Sequence, residues 1–129
     1  MGKTNALNWF EIPVSDFNRA KLFYETILDF TMREHEGGNT RMGLFEYDLE
    51  DEGAGGAIVY DPEFYTPSPN GSLIYLNCEP DIQLVLDKVV EAGGKILQGR
   101  TTVSATQEMG YWALILDTEG NRVALHAME

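Results

Sequence analysis

The sequence predicts an α+β fold built from two βαβββ modules whose sheets meet around a cleft. Three observations carry this expectation. A strand-like run followed by an amphipathic helix occurs twice, with the helix-leading acids Asp16 and Asp81 65 residues apart. Each helix is followed by three short β-like runs separated by turn residues. A segment with three prolines, D-P-E-F-Y-T-P-S-P-N-G over residues 61–71, breaks both periodicities and reads as the linker between the halves.

In the first module, N-W-F-E-I-P-V over residues 8–14 has strand character, and Ser15 or Asp16 supplies a side-chain oxygen suited to capping a helix. Phe17, Ala20, Phe23, Tyr24, Ile27 and Leu28 then recur at spacings of three and four, which is one apolar helical face. Strands are expected near residues 30–35, 41–48 and 56–60, with E-G-G-N and E-D-E-G-A-G as turns. The second module repeats the design. L-I-Y-L-N-C over residues 73–78 reads as a strand, and Ile82, Val85, Leu86, Val89 and Val90 form the second helical face. Gly93-Gly94 ends that helix, and at the same offset Asp29 stands opposite Gly94. Strands follow near residues 95–98, 111–117 and 122–127, the last two joined by the turn D-T-E-G-N. A helix covers one face of each four-stranded sheet and leaves the other apolar, so two such sheets are expected to meet.

A chain of 129 residues, 43% hydrophobic, suits a single domain over residues 1–129, with modules of about 5–61 and 72–129. Its formal charge of −12, from 9 basic and 21 acidic residues, argues against nucleic acid and anionic membranes as partners, since phosphate-rich surfaces are bound by clustered Lys and Arg. The lone Cys78 has no internal partner, and no apolar run approaches the roughly 20 residues of a membrane span. No charged-then-apolar leader is visible, and Ala6 replaces the Ser or Thr of a myristoylation signal, so the expected location is cytoplasmic. Residues 1–4 read as an untethered end.

Three motifs together resemble the glyoxalase, bleomycin-resistance and extradiol-dioxygenase superfamily, the vicinal oxygen chelate proteins. They are I-P-V-S-D-F-N-R-A-K-L-F-Y-E-T-I-L, the repeat ending E-A-G-G-K-I, and the close G-Y-W-A-L-I-L-D-T-E-G-N-R-V-A-L. Their order and distances cover nearly the whole chain. The resemblance implies paired βαβββ modules, each curling its sheet around a cup-shaped cavity, in a homodimer. It leaves activity open, because isomerases, lyases, dioxygenases and drug-sequestering proteins share the fold.

The resemblance also implies where a metal would be held: by His and Glu on the first and last strands of each module. Here the matching positions carry Trp9, Ala124, and Ile74 or Tyr75 depending on register, and no carboxylate precedes Asp61 in G-G-A-I-V-Y. With only His35 and His126 in the chain, a two-histidine iron site of the dioxygenase type is disfavoured. The expected site therefore has no metal and no cofactor. Glu11 and His126 lie two residues beyond Trp9 and Ala124, on the same strand faces and displaced by about 7 Å. They are the candidate catalytic pair, a carboxylate and an imidazole able to exchange a proton with a ligand. The alternatives are that they satisfy each other structurally, or that they hold a shifted metal.

Trp9, Tyr75 and Trp112 lie on strands bordering the expected cavity and join Glu11 and His126 as ligand-binding candidates, because flat rings lining a concave site suit a planar small molecule. The acidic run 46–52 lacks the oxygen spacing of a calcium loop and reads as a solvated turn. Cys78 reads as a small buried filler. The glycine pairs are turns, not phosphate-cradling loops. Three functions stay open: a metal-independent pocket protein for a small organic molecule, a metal-dependent lyase or isomerase resembling glyoxalase I with shifted ligands, and a non-catalytic interaction module.

Overall fold

The computed structural model describes residues 6–45, 53–106 and 108–129. The expected acidic turn at 46–52 lies outside the described residues. The elements run β1 (Trp9–Pro13), α1 (Phe17–Leu28), β2 (Arg33–Gly37), β3 (Thr40–Leu44), β4 (Gly55–Tyr60), β5 (Tyr75–Asn77), α2 (Ile82–Val89), β6 (Lys95–Thr102), β7 (Tyr111–Leu116) and β8 (Arg122–Ala127). They form two four-stranded sheets of order β1-β4-β3-β2 and β5-β8-β7-β6, the topology expected of two βαβββ modules. In each, the first strand pairs parallel with the fourth, which the crossover helix requires, and the remaining pairings are antiparallel.

Local chemistry starts both helices alike. Asp16 and Asp81 are extended N-caps whose carboxylates accept from the backbone N–H of Arg19 (3.1 Å) and Gln83 (2.8 Å). The helices also stop alike, the second at Gly93-Gly94 as expected, but the match between the two ends is shifted by one residue. Phe30 N–H reaches the carbonyl of Glu25 around left-handed Asp29 (φ 54°), and Gly94 N–H reaches Val89 around left-handed Gly93 (φ 106°). Asp29 therefore matches Gly93 rather than Gly94. Gly94 is glycine for another reason: a Cβ there would lie 2.7 Å from the Leu116 carbonyl and 2.7 Å from the Phe23 ring.

The first strands carry a second shift. Both fourth strands begin two residues after a glycine, Gly53 or Gly120, and the ladders pair Glu11 with Ala57 and Tyr75 with Ala124. Glu11 thus matches Tyr75, and Trp9 matches Leu73 rather than Ile74 or Tyr75. The segment from strand to N-cap is one residue longer in the second module, Cys78 to Asp81 against Val14 to Asp16, so no single offset maps one module onto the other.

One apolar core joins the modules. It includes Phe17, Phe23, Tyr24 and Ile27 from α1, Ile82, Leu86 and Val89 from α2, and the helix-facing residues Ile12, Ile58, Leu76, Ile115 and Leu125 of the sheets. The turn 117–121 fastens this core at its rim. Buried Tyr24 donates to Asp117 Oδ2 at 2.6 Å, and Asn121 Nδ2 donates to the Pro13 carbonyl at 2.7 Å. The Glu119 carboxylate accepts from the backbone N–H groups of Ser15 and Asp16 at the start of α1 (2.9 and 2.8 Å).

Candidate functional site

Strand alternation decides which side chains leave the core. On β1, Phe10 and Ile12 turn toward α1, while Trp9 and Glu11 take the open face of the first sheet. On β5, Leu76 is buried and Tyr75 and Asn77 take the open face of the second. Both β1 and β5 are edge strands, and a cavity of about 900 Å³ lies where the modules meet, lined by residues from both.

Its walls include Trp9, Phe10, Phe30, Phe45 and Tyr75. Phe45 anchors one wall, tilted against Phe10 at 5.3 Å and stacked with Phe30 at 6.0 Å and 15°. Gly56 is needed behind this wall, because a Cβ there would come within 2.3 Å of the Phe10 ring. Leu28, Leu73, Ile74 and Val85 add aliphatic surface. The polar groups include the carboxylates of Glu11, Asp29 and Glu79. Glu11 Oε2 accepts from Trp9 Nε1 at 3.2 Å, and Glu11 Oε1 accepts from the Tyr65 hydroxyl at 2.6 Å. That bond, followed by burial, raises the Tyr65 phenol above its ordinary range. Burial pushes the Cys78 thiol, also on the wall, up to about 12, so it stays protonated and acts as a filler.

The expected site residues separate into two groups. Trp9, Glu11 and Tyr75 share the large cavity. His126 instead adjoins a shallower hollow of about 400 Å³ with Tyr75, Leu76, Asn77 and Glu79, so β5 forms a wall common to both hollows. Strand order is the cause: β8 lies one strand inward from β5, which stands between His126 and the cleft. His126 and Glu11 are therefore not mutual partners. The imidazole Nε2 lies 2.7 Å from the Met109 carbonyl, which can only accept, so Nε2 carries the proton. Trp112 lies directly across from His126 on the open face of the second sheet, and it is not among the residues lining either hollow.

Tyr65 was invisible to periodicity because it sits in the linker, and nothing in their spacing singles out Phe10, Phe30 and Phe45, which pack with the core and also line the cavity.

Where the superfamily resemblance places metal ligands, β1 holds Trp9 and β8 holds Ala124, β4 offers no carboxylate, and the match to Trp9 in the second module is Leu73, two residues before β5. Among the described residues no three His, Cys, Asp or Glu side chains are grouped to hold an ion. This donor set does not fit a divalent metal, which needs several convergent anionic or imidazole groups.

Two βαβββ modules sharing one core around an aromatic cleft define a class of protein, and sequence comparison gives it a name. The profile of the Glyoxalase/Bleomycin resistance protein/Dioxygenase superfamily matches residues 6–125, and the chain belongs to that superfamily. Comparison with curated proteins finds no match. Among solved structures, a hypothetical protein from S. aureus is similar at 21% identity, over 97% of this chain and 95% of the other, with a TM-score of 0.68. A mutant glyoxalase I from Zea mays aligns at 20% identity and a TM-score of 0.70, over 94% of this chain but 46% of its own. The fosfomycin resistance protein FosX from Listeria monocytogenes aligns at 16% identity and a TM-score of 0.63, over 97% and 92%. At these identities the likeness establishes the fold. No helix among the described residues is long and apolar enough to cross a membrane.

Proposed function

We propose that the protein binds a small, planar organic molecule in the cleft between its modules, without a metal. The observation that carries this reading is the cavity of about 900 Å³ walled by Trp9, Phe10, Phe30, Phe45 and Tyr75. A volume of this order suits a small-molecule site, and flat rings on several sides favour a flat ligand. The lack of convergent donors at the four expected positions supports metal independence. Glu11, oriented by Trp9 and Tyr65, is a polar group that fixes the ligand's orientation and a carboxylate able to take a proton from it. His126 serves the neighbouring hollow across β5, where Tyr75 and Asn77 relate the two.

Homodimerisation belongs to the same proposal. Trp112, Leu114 and Leu116 on β7, with Met42 and Leu44 on β3, are only half-buried although they face away from the helices. A second copy of the chain covering these open faces removes that apolar surface from water.

The test is equilibrium dialysis of acridine, a neutral tricycle at mildly alkaline pH, against protein treated with a chelator, together with metal analysis of the untreated protein. Saturable binding of about one equivalent, unchanged by chelation, is expected. Near-stoichiometric metal whose removal abolishes binding would overturn the reading in favour of a metal-dependent, glyoxalase-I-like site.

A further inference from the structure

Resting on the reading of the cleft as a binding site, we infer that its ligand carries a positive charge: an aromatic or otherwise flat amine, amidine or iminium ion. Among the described lining residues three are carboxylates, Glu11, Asp29 and Glu79, and none is Lys, Arg or His. They enter from three elements: Glu11 from β1, Asp29 from the left-handed end of α1, and Glu79 from the segment after β5. The negative potential therefore acts from several sides of the cavity.

The carboxylates keep capacity for a ligand. An ionised carboxylate accepts at about four lone-pair sites. Glu11 uses one bond on each oxygen, from Trp9 and Tyr65, and Glu79 accepts the Met128 N–H at 2.9 Å through Oε2. Those bonds aim the groups without exhausting them. A bound anion meets repulsion from all three and, among the described lining residues, no compensating cation. A cation meets the same carboxylates together with the electron-rich faces of Trp9, Tyr75 and the phenylalanines, and cation–π attraction strengthens as water is excluded. The net charge of −12 adds long-range steering of the same sign.

The experiment compares three tricyclic probes of similar area: proflavine, a cation at neutral pH, acridine, neutral in mildly alkaline buffer, and anthracene carboxylate, an anion. Each is titrated into the full chain at low and high salt. Proflavine is expected to bind at least about tenfold tighter than anthracene carboxylate, with acridine between, the scale of a few partly exposed charge and cation–π contacts. In the double variant Glu11→Gln, Glu79→Gln the preference should fall below about threefold. The exposed and remote Glu91→Gln should leave it unchanged. Equal binding of all three probes overturns the charge selection while leaving the cleft as a binding site. A preference that survives the double variant, or falls as much in Glu91→Gln, assigns it to the general surface charge and also overturns it. Saturable binding of none of the three overturns the cleft reading itself, and the inference with it.

Discussion

Glu119 in the second module holds Arg19 of the first in a two-point ion pair, Nε to Oε2 at 2.8 Å and Nη2 to Oε1 at 3.0 Å. The same carboxylate closes the start of α1 and receives the Thr118 hydroxyl. Its side chain is out of contact with water, whereas that of Arg19 is half exposed. Burial alone pushes the Glu119 carboxyl upward, but the bonds from Arg19, Thr118 and the Asp16 and Ser15 backbone outweigh it and hold the group at about 2.

That value gives a pH dependence with a definite sign. In the unfolded chain the group protonates near 4.5, in the folded chain near 2, so acid adds the proton to the unfolded state first. The stabilisation is complete above 4.5 and drains away as pH falls toward 2. Glu119→Gln is expected to cost about 1–3 kcal/mol at neutral pH in urea unfolding, with the gap to the parent closing in acid. A gap that stays constant from neutral pH down to acid would contradict the assignment.

Gly94→Ala sets a Cβ against the Leu116 carbonyl, a backbone atom that cannot swing aside. A loss of about 1–3 kcal/mol is expected from this overpacking. Gly99→Ala, where no heavy atom beyond the adjoining residues lies within 4 Å of the added Cβ, should stay within about 0.5 kcal/mol, and comparable losses at both sites would mean the contact at Gly94 is relieved.

The linker is tied to the cleft by Tyr65. Because the bond to Glu11 and burial both favour the protonated phenol, the alkaline spectral difference between the parent and Tyr65→Phe should have its midpoint above 10.0. In a Glu11→Gln background that midpoint should move back down. No movement would show that the carboxylate is not the partner in solution.

Light scattering at micromolar concentration should give a dimer mass, and Leu114→Glu, which puts a charge on the half-buried open face of β7, should give a monomer that remains folded. A parent that is monomeric would remove dimerisation from the proposal.

Much of the fold was legible because its signals are local. Asp16 and Asp81 announce helix starts, and the spacing of Phe17, Ala20, Phe23, Tyr24 and Ile27 fixes the buried face of α1. The expected strand at residues 95–98 runs to Thr102, since Q-G-R-T-T lacks the apolar alternation that marks a strand, and register shifts around Gln98 accommodate it. The site was less legible. That Trp9 and Glu11 share a strand face follows from alternation along β1, but that Phe10 lines the same cavity, and where His126 lies, depend on strand order, with β1 and β5 at the sheet edges. Tyr65 reaches Glu11 only through the path of a proline-rich linker, which carries no periodicity to read.

The most direct test of a metal-free cleft between the modules uses the emission of Trp9 alone, in Trp112→Phe protein treated with a chelator and titrated with acridine. Saturable quenching at about one equivalent is expected, with much weaker quenching in the converse Trp9→Phe protein, where Trp112 lies outside the lining of the cavity. Quenching that requires an added divalent ion, or that is as strong from Trp112 as from Trp9, would contradict it.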